Sequence, residues 1–371
     1  MRYNNPLNLI CLGFLVLAVA CSTPEKPVTK EEATTFANAL ETSINRQEAS
    51  LLNDLLDPEA FGKRIKESSK NKLNSSLVEG AIKGLKAGTL GQQIVQSVRD
   101  KGNYRFIKQY EKDNHQHIVF RLWGGDKLNY HDIELIKKGD KVRASDMFVY
   151  ISGENLSATL AQSLMMMNDN MSGMSTQEKN SLESVQTIRM LVNKGEFERA
   201  DKLFQKLPAV MREEKLFRMI GIQIASGLGD EAYTKAINDY QQAYPDAPNM
   251  YLLMIDAYIL KKDYTKAMQA VDHLDSLINK DPFLDYYRGL LAKMMEDPAK
   301  QHEYFERLYK NMPDFAQGTI ELITVYLDAK EYDKAVELTR KYKQNKDADN
   351  EILESYYELY PDFKKKLDAK S

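Results

Sequence analysis

Apolar residues recur at roughly helical spacing near the start of the chain (Phe36, Ala37, Leu40, Ile44, Ala49, Leu51, Leu52, Leu55, Leu56). That spacing predicts a helix over 31–57, stopped by Asp57-Pro58. Helical patterning continues through Phe61–Ser68 and, interrupted by Gly80, Gly84 and Gly88, to about Asp100. At Tyr104 the period drops to 2. Tyr104, Phe106 and Ile107 open a strand running to Lys112, and Ile118, Phe120 and Leu122 alternate with Val119, Arg121 and the single tryptophan, Trp123. Tyr130, Ile133, Leu135 and Ile136 form a third strand, and Val142, Met147, Phe148, Val149 and Ile151 a fourth. The breaks at Lys112-Asp-Asn-His115, Gly124-Gly-Asp126 and Lys138-Gly-Asp140 are hairpin signals. Four strands joined by tight turns predict an antiparallel meander, with the preceding helices covering one face and polar side chains on the wet face. Met165, Met166, Met167, Met171 and Met174 follow, and are read as gap-fillers where two domains meet.

Beyond residue 176 the chain repeats itself. Lys194-Gly-Glu-Phe-Glu-Arg-Ala200, Lys261-Lys-Asp-Tyr-Thr-Lys-Ala267 and Ala329-Lys-Glu-Tyr-Asp-Lys-Ala335 share one pattern, with Phe197, Tyr264 and Tyr332 spaced by 67 and 68 positions. Half of that spacing is about 34, the length of one helix-turn-helix repeat. Tyr233-Thr-Lys-Ala236 supplies one half-step. Gly289, Phe305, Leu308 and Pro313 supply the other, with Pro298 where an aromatic residue is usual. Together with Tyr251, Met254 and Tyr258 in the third unit and Leu322 and Tyr326 in the last, these residues resemble the tetratricopeptide-repeat family. Five units begin near residues 181, 217, 248, 282 and 316, and a helix over 351–367, interrupted near Pro361, caps the open end. The resemblance implies a curved stack whose first helices line a concave, protein-binding face. By repeat position, Asn249, Tyr286, Lys293 and Gln317 are the candidates for partner contact.

The first twenty residues differ from everything that follows. Leu9 to Ala20 is an uninterrupted apolar run behind Arg2, and about twelve helical residues rise about 18 Å, too short for a hydrocarbon core of about 30 Å. The run fits the central region of a secretory signal peptide. It ends in Leu17-Ala-Val-Ala-Cys21, which resembles the lipobox of bacterial lipoproteins, although Ala18 stands where that pattern prefers leucine. The resemblance implies a diacylated Cys21 as the mature N-terminus and, from Ser22, sorting to the outer membrane of a Gram-negative cell, with the periplasmic or surface face left open. Residues 21–30, with Pro24 and Pro27, form the lipidated tether, which spans less than about 30 Å.

Composition narrows the chemistry. Cys11 and Cys21 are the only cysteines, so nothing after Cys21 can form a disulfide or act as a thiol nucleophile. A net charge of −3 gives no dense basic face for nucleic acid, and Lys364, Lys365 and Lys366 read as a solvated helix end. His115, His117 and His131, with Asp113, Asp126 and Asp132, are the one cluster worth testing for a metal. Their spacing matches no ligand motif, and no catalytic residue, metal or cofactor is expected. The chain is thus expected to be mostly α. Signal peptide (1–20) and tether (21–30) are followed by an α+β domain (31–172), whose order of helices first and a curled sheet after resembles the NTF2/cystatin-like class, and by tetratricopeptide-like repeats (176–371). The expected role is a membrane-anchored scaffold or adaptor binding envelope or periplasmic proteins. The alternative is ligand binding or hydrolysis in a pocket of the α+β domain, using His117, His131 and Asp132.

Overall fold

The computed structural model describes residues 27–85, 90–99, 102–124, 127–171, 176–245, 247 and 249–369. The signal segment, Cys21 and most of the tether lie outside them.

Five helices open the described chain: α1 (Lys30–Asn45), α2 (Ser50–Asn53), α3 (Pro58–Ser68), α4 (Ser75–Gly84) and α5 (Leu90–Ser97). α1 begins on a capping box, in which Thr29 Oγ1 accepts from the Glu32 amide at 3.2 Å and Glu32 accepts from the Thr29 amide at 2.9 Å. The single helix expected over 31–57 is in fact two. Gln47 takes a left-handed φ of 65°, and the Glu48 amide turns back to the Ser43 carbonyl at 2.9 Å. Asp57-Pro58 ends the run as expected and also starts the next helix. Asp57 caps the Ala60 amide at 2.8 Å, and Pro58 occupies the first turn, where no amide hydrogen is needed.

The sheet runs β1 (Asn103–Lys112), β2 (His115–Gly124), β3 (Lys127–Lys138), β4 (Lys141–Val149) and β5 (Glu154–Asn155), each antiparallel to the next in chain order. The four expected strands are present, and a two-residue fifth is added. Asp113 and Asn114 (φ 50° and 61°) make the first hairpin turn and Gly139 (φ 60°) the third, while Gly125 and Asp126 of the second lie outside the described residues. α6 (Leu156–Met171) then returns over the helical layer and packs on α3. Met165 packs at the margin of that layer. The side chains of Met166, Met167 and Met171, and Met174 altogether, lie outside what is described.

The remainder is all helix: α7 (Thr176–Asn193), α8 (Phe197–Phe204), a short α9 (Ala209–Glu213), α10 (Lys215–Ser226), α11 (Asp230–Ala243), α12 (Met250–Leu260), α13 (Tyr264–Leu277), α14 (Leu284–Met294), α15 (Pro298–Asn311), α16 (Ala316–Asp328), α17 (Tyr332–Tyr342), α18 (Asn350–Leu359) and α19 (Pro361–Ala369). Five antiparallel pairs stack in sequence, and a sixth pair broken at Pro361 closes the end. The turns inside the pairs repeat as well: Gly195, Lys262, Glu296 and Lys330 each have a left-handed φ of 55–73°. After each of them the next amide reaches back across the helix end, as Asp263 does to Tyr258, Asp297 to Ala292 and Glu331 to Tyr326 at 2.8–2.9 Å. Close packing explains the small residues. A Cβ on Gly289 would lie 2.6 Å from the Phe305 ring, and Ala200, Ala267 and Ala335 are completely buried. Pro298 replaces an aromatic residue because it opens α15, behind the Asp297 cap.

One expectation is corrected: the second face of the sheet is not wet. Tyr104, Ile118, Phe120, Ile133, Leu135 and Met147 join the core beneath α1–α6, whereas Val119, Trp123, Leu128, Tyr130 and Tyr150 join the core of the repeats from α12 onward. Strand alternation sends neighbouring residues into different cores. The bulge between Phe106 and Lys108 changes sides within β1, so that Phe106 packs on the helical layer and Tyr110 on the repeats. The body therefore has three layers: helices, sheet, repeats.

Candidate functional site

Two surfaces follow from this layering, the junction between sheet and repeats and the wall of first helices that the junction leaves open. The junction is built on the starts of successive first helices. Phe283 immediately precedes α14 and Phe315 immediately precedes α16. Trp123 of β2 packs against both rings, with centroids 5.6 and 5.3 Å away. Beside it, Arg121 Nη1 bonds both carboxylate oxygens of Asp281, 160 positions later, at 2.8 and 2.9 Å, and the pair is almost wholly buried (2% and 1% exposed). The Arg121 guanidinium also stacks 4.3 Å from the Phe283 ring centre. Asp281 is held on three further sides. Tyr130 donates to it at 2.9 Å, it accepts the Phe283 amide at 3.0 Å, and its own amide donates to Asp275 at 2.9 Å. Burial, with the Asp281 charge second, pushes the Tyr130 hydroxyl pKa well above its ordinary value, so it stays protonated and can donate to the carboxylate. Asn279 and Lys280 just upstream take left-handed φ values of 56° and 80°. They end α13 in place of the usual proline and turn the chain so that Asp281 points inward. Tyr130→Phe removes one donor from a buried carboxylate and should cost about 1–3 kcal/mol, read as a lower urea midpoint with an unchanged slope.

The four candidates from repeat position fall into two groups. Asn249 is fully buried: its amide donates to the Ile151 carbonyl at 3.0 Å, and its Oδ1 accepts from Tyr240 at 3.2 Å. The turn between β4 and β5 of the chain itself thus takes the place assigned to a partner there. Tyr286 is half-buried among Phe283, Phe305 and Phe315. Lys293 is exposed on α14 and pairs with Glu321 of α16 at 3.3 Å, and Gln317 is half-buried one turn before Glu321. The wall continues through Thr324, bonded to the Tyr356 hydroxyl at 2.6 Å, and Asp328, which accepts from the Tyr360 hydroxyl at 2.6 Å. Glu321, Thr324, Asp328, Tyr356 and Tyr360 were not among the candidates, although their helical spacing from Gln317 and across to α18 was readable.

The histidines do not assemble as a metal or acid–base set would need. His117 faces the repeats and bonds Asp132 through Nδ1 at 2.9 Å, and Asp132 also accepts from the Tyr110 hydroxyl. His131 is one position from Asp132 and therefore on the opposite face, buried beside the Tyr104 hydroxyl at 3.1 Å. His115 lies near the turn, 3.9 Å from Glu134. Among the described residues no group of three His, Cys, Asp or Glu is placed to hold a metal ion. Burial raises the Tyr110 pKa, with Asp132 adding to it, and lowers that of Lys108.

His131 has a consequence for stability. Burial lowers its pKa from the ordinary 6.5 to about 4, and Tyr104 and Asn129 bring no charge to it. The unfolded chain takes up a proton near pH 6.5 that the folded chain refuses until about pH 4, so stability falls as pH drops through that window. At 1.36 kcal/mol per pKa unit the loss approaches roughly 3 kcal/mol. Urea midpoints measured at pH 7 and pH 4.5 should diverge less in His131→Phe than in the parent chain.

Two of the cavities among the described residues bear on this question. An apolar one between Leu52, Phe61, Ile82 and Leu90 has about 10 Å³, room for a single water and too small for an organic ligand. A cleft of about 450 Å³ beside α13–α15 is lined by charge. Arg288 bonds Asp272 and Asp275 at 2.9 Å and Asp285 at 3.0 Å, while Arg307 grips Asp285 twice at 2.6 Å. Burial opposes the charge of Arg288, but the carboxylate hydrogen bonds outweigh it and hold its pKa above the ordinary value. This network braces three helices against one another. No protein-family model matches the chain, and no curated protein or solved structure matches it either.

Proposed function

We propose that this chain is a lipid-anchored bacterial envelope protein that binds other proteins through its repeats, as a scaffold or adaptor. The observation carrying this reading is the regular stack: four of the helix pairs turn on a left-handed residue at the same position, and the first helices leave an open, polar and aromatic wall of Lys293, Gln317, Glu321, Asp328 and Tyr360. A wall of that kind, built on rigid helices, suits recognition of a polypeptide. The tetratricopeptide resemblance supports the same conclusion by analogy. The lipobox at Cys21 and Ser22 supports attachment at the outer membrane. Among the described residues no helix is long and apolar enough to cross a bilayer.

The test is cross-linking capture from native membranes with the full chain and with Lys293→Glu/Gln317→Arg, both changes being on side chains outside the core. A defined protein captured by the parent and lost from the variant supports the reading. If both capture the same set, or neither enriches any protein, the concave wall is not the binding surface.

A further inference from the structure

Repeat stacks are soft along their length, because each unit touches only its neighbours and small rotations between units add up. In this chain a second body touches four successive units. At α10, Lys215 donates to the Gly153 carbonyl at 3.3 Å and pairs with Glu154 at 3.5 Å. At α12, Asn249 holds the Ile151 carbonyl, and Gly153 passes so close that a Cβ there would lie 2.6 Å from Asn249 Oδ1. Gly153 also has a left-handed φ of 66°, so a side chain is opposed twice over. At α14 there is the Arg121–Asp281 pair with Trp123 on Phe283, and at α16 Trp123 on Phe315.

We propose that the sheet is an internal clamp: it fixes the spacing of the starts of α10, α12, α14 and α16, and so sets the curvature of the repeats. The ion pair gives the clamp its register. Shifted docking would leave two buried charges unpaired, whereas a purely apolar seam tolerates sliding. The cost of this register is visible, since Arg121 Nε is buried with no hydrogen-bond partner among the described residues. The clamp concerns stiffness alone and stands or falls independently of any partner of the concave wall.

The test uses the full chain, with Trp123, its only tryptophan, as a reporter sitting in the seam. Arg121→Met leaves Asp281 without its counter-charge, and Arg121→Met/Asp281→Leu replaces the pair by apolar side chains. In the single variant, Trp123 emission should shift to the red. Amide exchange should accelerate at least tenfold along the whole of α12–α16, far from the seam as well as at it, while β1–β4 and α1 keep their protection. The solution scattering profile should broaden. The double variant should restore the blue emission, because the seam is dry again, but keep exchange along α12–α16 faster than in the parent, because an apolar seam can slide. Emission that shifts without any change in exchange or scattering would make the sheet a passenger, and emission that does not shift would remove the ion pair from the seam's register; either result overturns the proposal. If the single variant does not fold, Tyr130→Phe, which loosens the same carboxylate without unpairing a charge, takes its place with the same readouts and the same deciding outcomes.

Discussion

Phe283→Ala is expected to lower unfolding stability by about 3–5 kcal/mol, the usual range for deleting a large aromatic ring from a filled core. The ring is wholly buried and meets Trp123, Phe315, Tyr286 and Tyr287 with centroids 5.2–6.0 Å away. It also supports the Arg121 guanidinium, so its loss strips an apolar contact and a cation–π contact from a charge that cannot reach water. The cavity would open where sheet and repeats meet, and relaxation there is limited because Asp281 is fixed by five hydrogen bonds. Urea unfolding followed by Trp123 emission and by far-ultraviolet ellipticity measures the effect. A loss under about 1 kcal/mol would mean that the seam repacks freely, against the rigid junction described above.

The second large effect concerns the anchor. In cells supplied with labelled palmitate, the parent chain should carry the label and partition into detergent, whereas Cys21→Ser should do neither. The size of the difference follows from the methylenes involved, at about 0.8 kcal/mol each. One chain gives marginal attachment, and two or more make release negligible on the time scale of an experiment. Label retained by Cys21→Ser, or absent from the parent, would remove Cys21 as the acylated residue.

Local patterning made much of the architecture readable. Alternation located four strands to within a few residues, and Asp113-Asn114 and Gly139 marked turns that only left-handed residues complete. The spacing of Phe197, Tyr264 and Tyr332 revealed the helix pairs because each aromatic opens a second helix against a buried alanine. The break at Gln47 had no such marker, since neither glycine nor proline stands between Asn45 and Ser50. The junction was hidden for a different reason. An arginine in an amphipathic strand normally points to water, and nothing local to Arg121 indicates a carboxylate 160 residues away. A signal was nevertheless present: Val119, Trp123 and Tyr130 put apolar bulk on the face assigned to solvent, the mark of a sheet covered on both sides. The same covering bears on Asn249, whose neighbour is the chain's own Ile151.

The order of the layers also decides at what height the protein can meet anything. Val28 is already packed into the helical layer, so the chain enters the body on the side of the sheet away from the repeats. Successive layers are about 10 Å apart, which puts the stack about 20 Å beyond the helices that receive the tether. With the N-terminus fixed at a bilayer as proposed, the body becomes a stand-off. Its tether, shorter than about 30 Å, keeps it close, while the sheet acts as a spacer between membrane and wall. A protein lying flat in the same leaflet passes beneath that wall. One with an arm reaching some 20–50 Å into the aqueous space comes level with it and, confined to the same plane, meets it repeatedly. Reach would then select partners before any side chain does.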